Sequence, residues 1–209
     1  MSKISNCYNR SNLQLAFYGA YHSNPINVAI HIVFVPTILW TAHVFASHWA
    51  LPSPIPYIYH PINKYLTFET NWALLAGAGY WLYYLLLEPT AALLYLPQMA
   101  ASVLTATTFA HSTSFNEKQI SITLHIVAWL VQFAGHGFAE KRAPALLDDL
   151  VGALVLAPLF VHLEILFGLG YKPELHKKIK NLIGRKIADI RVAEGRKKRK
   201  EAAPVGVSS

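Results

Sequence analysis

Gln132, His136 and Glu140 recur at four-residue intervals in an otherwise apolar stretch. On a helix this spacing stacks the three side chains on one face, each about 6 Å above the last. An ionisable group inside an apolar helix costs several kcal/mol unless it is partnered, so such a stripe marks a site with partners elsewhere in the chain. Those partners are sought in Tyr21–Pro36, which holds His22, Asn27 and His31, and the two stretches read as halves of one metal site. Neutral imidazole suits iron, zinc, copper and nickel, and histidine ligands that leave positions open allow iron to take substrate and dioxygen together.

His125 is a fourth candidate, and its position sets a geometric problem. It lies eleven residues before His136, so on one straight helix the two stand about 16 Å apart along the axis. Nitrogens bound to a single ion lie about 2.0–2.2 Å from it, which excludes that arrangement. Either the Gly135-His136-Gly137 segment unwinds, or two ions are present, or one histidine has another role. His22 and His31 escape the difficulty because Pro25, between them, lets the chain fold back. Glu140 is read as a ligand, as an acceptor fixing a histidine tautomer, or as the partner of Arg142. Against all this stands a plainer account, in which the histidines are hydrogen-bonded packing residues of helices. His48, His60 and His176 fall in polar segments and are expected to be solvated.

The elements that must position these residues read as helices in a membrane. Of 209 residues, 54% are apolar and 14% charged, and the mean hydropathy is positive. The apolar residues cluster into runs long enough to cross about 30 Å of hydrocarbon. The expected fold class is all-α, a polytopic membrane helical bundle. Residues 1–25 form an amphipathic N-terminal lead-in that breaks at Ser23-Asn24-Pro25. Residues 26–170 form the transmembrane body, with apolar runs over 26–46, 72–87, 91–110, 120–139 and 145–169, and a Pro- and Tyr-rich interfacial loop over 51–70. Twelve of the eighteen Lys and Arg fall from Lys172 onward, and 171–209 reads as a basic cytosolic tail near anionic headgroups rather than a nucleic-acid arm. Basic residues at both ends favour an even number of crossings. Five runs then require one re-entrant or interfacial segment, the third or the fifth by their polarity.

Several chemistries find no motif here. There is no Gly-rich phosphate loop, no nucleophile elbow and no HExxH helix. No two histidines are adjacent or two to four residues apart, so the histidine boxes of membrane desaturases are absent as well. A proton or ion relay through buried His and Glu remains a distinct alternative, as does a non-catalytic lipid-binding or scaffold protein.

The segments YHSNPINVAIHIVFVP and WLVQFAGHGFAEKRAPALLDDL resemble the two signature blocks of the fungal endoplasmic-reticulum 2-hydroxy fatty acid dioxygenases that act in phytosphingosine breakdown. The resemblance runs roughly from Asn12 to Gly170 and leaves the basic tail outside. It implies a multi-pass enzyme of the endoplasmic-reticulum membrane that uses Fe2+ and dioxygen. That enzyme would α-oxidise a long-chain 2-hydroxy fatty acid to a fatty acid one carbon shorter, without 2-oxoglutarate. By matching positions it implies that His22, His31, His125 and His136 are the essential, iron-holding histidines. Asn27, Gln132, Glu140 and Arg142 would then support them or meet the substrate carboxylate.

Overall fold

The structure, a computed structural model, describes residues 13–113, 116–140 and 150–202. It is helical apart from one hairpin. A short helix α1 (13–20) ends at Tyr21, and the chain restarts at Asn24. The Asn24 backbone is extended (φ −80°, ψ 127°) and its side chain accepts from Ile26 N at 2.9 Å, so it caps α2 (Pro25–Ser47), with Pro25 in the first turn. The sequence thus dictates a break at His22-Ser23-Asn24 between two helices. Pro36 sits inside α2, where the Thr37 hydroxyl bonds the Val33 carbonyl at 2.9 Å.

The Pro- and Tyr-rich loop holds structure that its composition did not suggest. Strand β1 (Tyr59–Asn63) pairs antiparallel with β2 (Leu66–Glu69), Tyr59 opposite Glu69. The turn is held by Asn63 Oδ1, which accepts from Tyr65 N and Leu66 N at 2.8 and 3.0 Å. Buried Glu69 then ties the hairpin to the bundle, accepting from Tyr57 Oη at 2.9 Å, from Asn71 Nδ2 at 3.1 Å and pairing with His111 Nε2 at 2.7 Å.

Asn71 caps α3 (Trp72–Leu87), which stops at Glu88, and Pro89 opens α4 (Pro89–Ala110). Asn116 caps α5 (Glu117–Ala134), whose end widens into a π-helical turn, Gly135–Glu140. After α6 (Leu150–Gly168) the chain turns at Gly170, whose φ of 86° suits glycine, into α7 (Pro173–Ala202). Buried Glu88 anchors that turn, accepting from Lys172 Nζ at 2.7 Å and Tyr171 Oη at 2.9 Å.

Over the described residues, all five apolar runs are helical. Three stretches are long and apolar enough to cross a membrane, Pro25–Ser47, Pro89–Ala110 and Glu117–Glu140; Trp72–Leu87 and Leu154–Gly168 are shorter. Their outward faces carry Val33, Leu82, Leu86, Leu93 and Leu130, each more than half exposed, a surface compatible with a multi-pass membrane protein. The third run, suspect on polarity, is one of the long ones. Its hydroxyls are satisfied within the bundle: Ser102 by His43 at 2.9 Å, Thr105 by the Ala101 carbonyl and Thr108 by the Leu104 carbonyl.

The basic C-terminal stretch is more than a solvated tail. Leu175 and Ile179 are buried, and Ile183, Ile187 and Ile190 pack beside them on the main core with Leu15, Tyr18, Leu159 and Phe160. The spacing of these residues forms one stripe of α7, while Lys177, Lys178, Lys180, Arg185 and Lys186 stay exposed on the remaining faces. Contact with α1 is close: a Cβ at Gly19 would collide with the Ile183 side chain. A chain ending at Gly195 is therefore expected to keep its thermal midpoint, whereas one ending at Lys172 loses it. Each fully buried Leu or Ile contributes roughly 1.5–3 kcal/mol, so Leu175 and Ile179 together account for about 3 kcal/mol or more. Thermal unfolding in detergent followed by size-exclusion chromatography distinguishes the two truncations.

Candidate metal centre

The break before Pro25 and the π turn after α5 meet, and three histidines converge where they do. His22 projects from the break, His31 from the second turn of α2 and His136 from the π turn. Their ring centroids lie 4.3 Å (His22 to His31), 4.8 Å (His22 to His136) and 5.0 Å (His31 to His136) apart. One nitrogen from each falls within 4.8 Å of the others, and all three residues are buried. Two nitrogens on one ion stand no more than about 4.2 Å apart, so small ring movements would let this group hold a single metal.

Hydrogen bonding selects which nitrogens are offered. His22 Nδ1 lies 2.8 Å from the Tyr18 carbonyl and His31 Nδ1 lies 2.8 Å from the Asn27 carbonyl, each four residues back. A carbonyl only accepts, so both Nδ1 atoms carry the proton and both Nε2 atoms present a lone pair. His22 Nε2 and His136 Nδ1 are buried with no hydrogen-bond partner in the protein. Such atoms are costly unless something binds them, and a metal ion is what imidazole nitrogens bind. The Tyr18 ring stacks on His22 at 4.0 Å, nearly parallel. Burial holds the His22 pKa well below its usual value, helped by His31 and His136 and opposed by the Tyr18 carbonyl, which keeps the imidazole neutral as a ligand must be.

Glu140 latches the two halves together. Its Oε1 accepts from Ser23 Oγ at 2.6 Å and Ser23 N at 3.1 Å; its Oε2 accepts from Asn24 N at 2.9 Å and Asn27 Nδ2 at 3.3 Å. A carboxylate at the N-terminus of α2 also meets the positive end of that helix. Asn24 Nδ2 donates to the Ala139 carbonyl at 2.9 Å, and a Cβ at Gly135 would stand 2.7 Å from Asn27 Oδ1. Gly135 is thus required by the close approach of α2. Arg142 lies outside the described residues.

The remaining candidates separate. Gln132, buried one turn before His136, has its Nε2 unpartnered and faces the same cavity. His125 is not among the converging histidines. It is held at 2.7 Å by Thr41 Oγ1 and at 3.0 Å by Trp129 Nε1, on the wall of the same cavity but apart from the triad. Of the histidines expected in solvent, His48 and His60 are exposed, while His176 is half-buried and stacks on Phe167 at 4.5 Å. Sequence reasoning missed Tyr18, Ser23 and Asn24; the signal available was the Asn24-Pro25 cap, which fixes the backbone N–H groups that Glu140 uses.

From the triad a cavity of about 320 Å3 runs between α2 and α5. Val35, Ile38, Leu39 and Ala42 line it from α2, Phe133 and Trp129 from α5, and Ala157 and Pro158 from α6. The architecture is a three-histidine head, able to hold a metal, on an apolar channel, which suits a molecule with a chelating end and a long hydrocarbon.

A family model described as 2-hydroxy-palmitic acid dioxygenase Mpo1-like matches residues 8–169. The chain belongs to the Mpo1-like family. It is 35% identical over 179 residues to the 2-hydroxy-palmitic acid dioxygenase MPO1 of Saccharomyces cerevisiae, covering 86% of this chain and 92% of the yeast protein. No solved structure matches. The Mpo1-like match encloses the three converging histidines, Gln132 and Glu140, and stops before α7.

Proposed function

We propose that this Mpo1-like protein is an Fe(II)-dependent dioxygenase that shortens long-chain 2-hydroxy fatty acids by one carbon in sphingolipid breakdown. The observation that carries the reading is the buried triad of histidines at the head of an apolar cavity. His22, His31 and His136 hold the iron; His125, expected with them, takes a different role. The catalytic body comprises residues 26–170, together with the His22 break. It is placed in the endoplasmic-reticulum membrane with the triad and α7 at the cytosolic face.

The reaction balances without a further reductant. A 2-hydroxy acid and dioxygen give the shortened acid, carbon dioxide and water: C2 rises from the alcohol to the carboxyl level and C1 from carboxyl to carbon dioxide. The substrate loses four electrons and dioxygen takes four. When bound, the iron would supply the dioxygen chemistry that cleaves the C1–C2 bond. The chain's own residues bind and orient. Gln132 Nε2 donates to a substrate oxygen one turn from His136, and the walls formed by Val35, Leu39 and Phe133 hold the acyl chain and exclude water. The Tyr18 and Asn27 carbonyls keep Nε2 of His22 and His31 free of protons.

The test is anaerobic purification with metal analysis, followed by incubation with 2-hydroxypalmitic acid and dioxygen. Iron near one per chain, with pentadecanoic acid and carbon dioxide formed in equal amounts, is the expected result. Protein that binds the acid but retains no transition metal after reconstitution and forms no shortened product would instead be a lipid-binding protein.

A further inference from the structure

We infer that His125, braced by Thr41 and Trp129, is the floor of the acyl channel and sets the longest tail the protein accepts; this deepens the proposed reading of the same cavity. The direction of the hydrogen bonds excludes a ligand role. Thr41 Oγ1 gives its proton to the Thr37 or Ile38 carbonyl, at 3.0 and 2.9 Å, so toward His125 it accepts, and Nδ1 of His125 carries the proton. Nε2 is then the lone-pair nitrogen, and it accepts from Trp129 Nε1 at 3.0 Å. Both ring nitrogens are used, in a chain of hydrogen bonds that runs from α5 through His125 into α2. The ligating histidines differ, since His22 and His136 each keep a buried nitrogen unpartnered.

Position makes this brace an end wall. His125 and Ala42 line the same cavity as the triad, each eleven residues along its helix from a triad member, His136 and His31. At 1.5 Å per residue both walls give a depth of about 16 Å. Behind His125 stands Phe45, its ring 5.5 Å away. Carbon–carbon bonds of about 1.5 Å at about 111° advance about 1.25 Å per carbon, so the channel holds about 13 extended carbons. With the carboxyl and hydroxyl carbons at the triad, the best-fitting acid has about 14 to 16 carbons.

Binding of saturated 2-hydroxy acids of about 12 to 22 carbons is measured without dioxygen, as the rise in thermal midpoint of the iron-loaded protein. Trp129→Ala opens the floor and is expected to move the optimum longer by about two to four carbons, raising affinity for the longest acids at least tenfold relative to the parent. Ala42→Leu fills the channel just above the floor and is expected to move it shorter. His125→Leu is expected to keep the parent's iron content while altering the profile. Unchanged profiles in both Trp129→Ala and Ala42→Leu would overturn the floor, as would loss of iron in His125→Leu. Because the readout is binding and metal content, it stands apart from turnover: a chain that shortens no acid defeats the enzymatic reading while leaving the length profile to decide the floor.

Discussion

Alanine at His22, His31 or His136 is expected to empty the site of iron and lower turnover about a thousandfold or more, while His60→Ala leaves both at the parent level. Each of the three supplies a buried nitrogen to the group, and the nearby Glu140 carboxylate is engaged by Ser23, Asn24 and Asn27. Members of a catalytic unit act together, and removing any one costs nearly as much as removing all. His60 lies exposed on β1, far from the chemistry in role and in burial. Iron per chain, turnover of 2-hydroxypalmitic acid and size-exclusion profile are measured on each variant. Retention of iron and most of the activity in any of the three would remove that histidine from the ligand set.

The second large effect belongs to a residue that touches no metal. Glu140→Ala leaves Ser23 N, Asn24 N and Asn27 Nδ2 without the acceptor that now gathers them, and hydrogen bonds to a charged group are worth about 1.5–3 kcal/mol each. Residues that orient ligands typically alter metal affinity by about 10- to 100-fold. Glu140→Ala is therefore expected to weaken iron binding by about 10- to 100-fold. Glu140→Gln, which keeps an accepting oxygen but loses the charge, should fall between it and the parent. Competition with a chelator of known affinity gives the ranking. Equal iron affinity in all three proteins would show that the latch does not position the histidines.

The parts of this site that are local are legible in the amino-acid sequence. Pro25 forces a break, Asn24 is a strong cap, and the four-residue spacing of Gln132, His136 and Glu140 puts them toward one side; together these announce that His22 is freed and that two stretches carry polar groups needing partners. What spacing cannot give is the choice among partners at long range. That Glu140 meets backbone N–H groups at the α2 terminus depends on α5 approaching α2 closely, and the approach depends on Gly135. For His125, the eleven-residue separation from His136 does set it apart in the sequence, but nothing there shows that Thr41 and Trp129 occupy both its nitrogens. The hairpin escaped because Pro and Tyr recur through its loop and because the buried side of β2 is polar, with Glu69 held by its partners. The packing of α7 escaped for the opposite reason: its lysines and arginines outweigh, in composition, the isoleucine stripe that decides where it lies.

The triad draws His22 and His31 from near the start of the chain and His136 from more than a hundred residues later. During synthesis the first two emerge long before the third exists. The loop that must close to unite them spans three helices and a hairpin, and closure of so long a segment is deferred until its helices have packed. A metal held by the triad would consequently be loaded late in biogenesis, as a clasp fastened after the bundle is built rather than as a seed around which it forms.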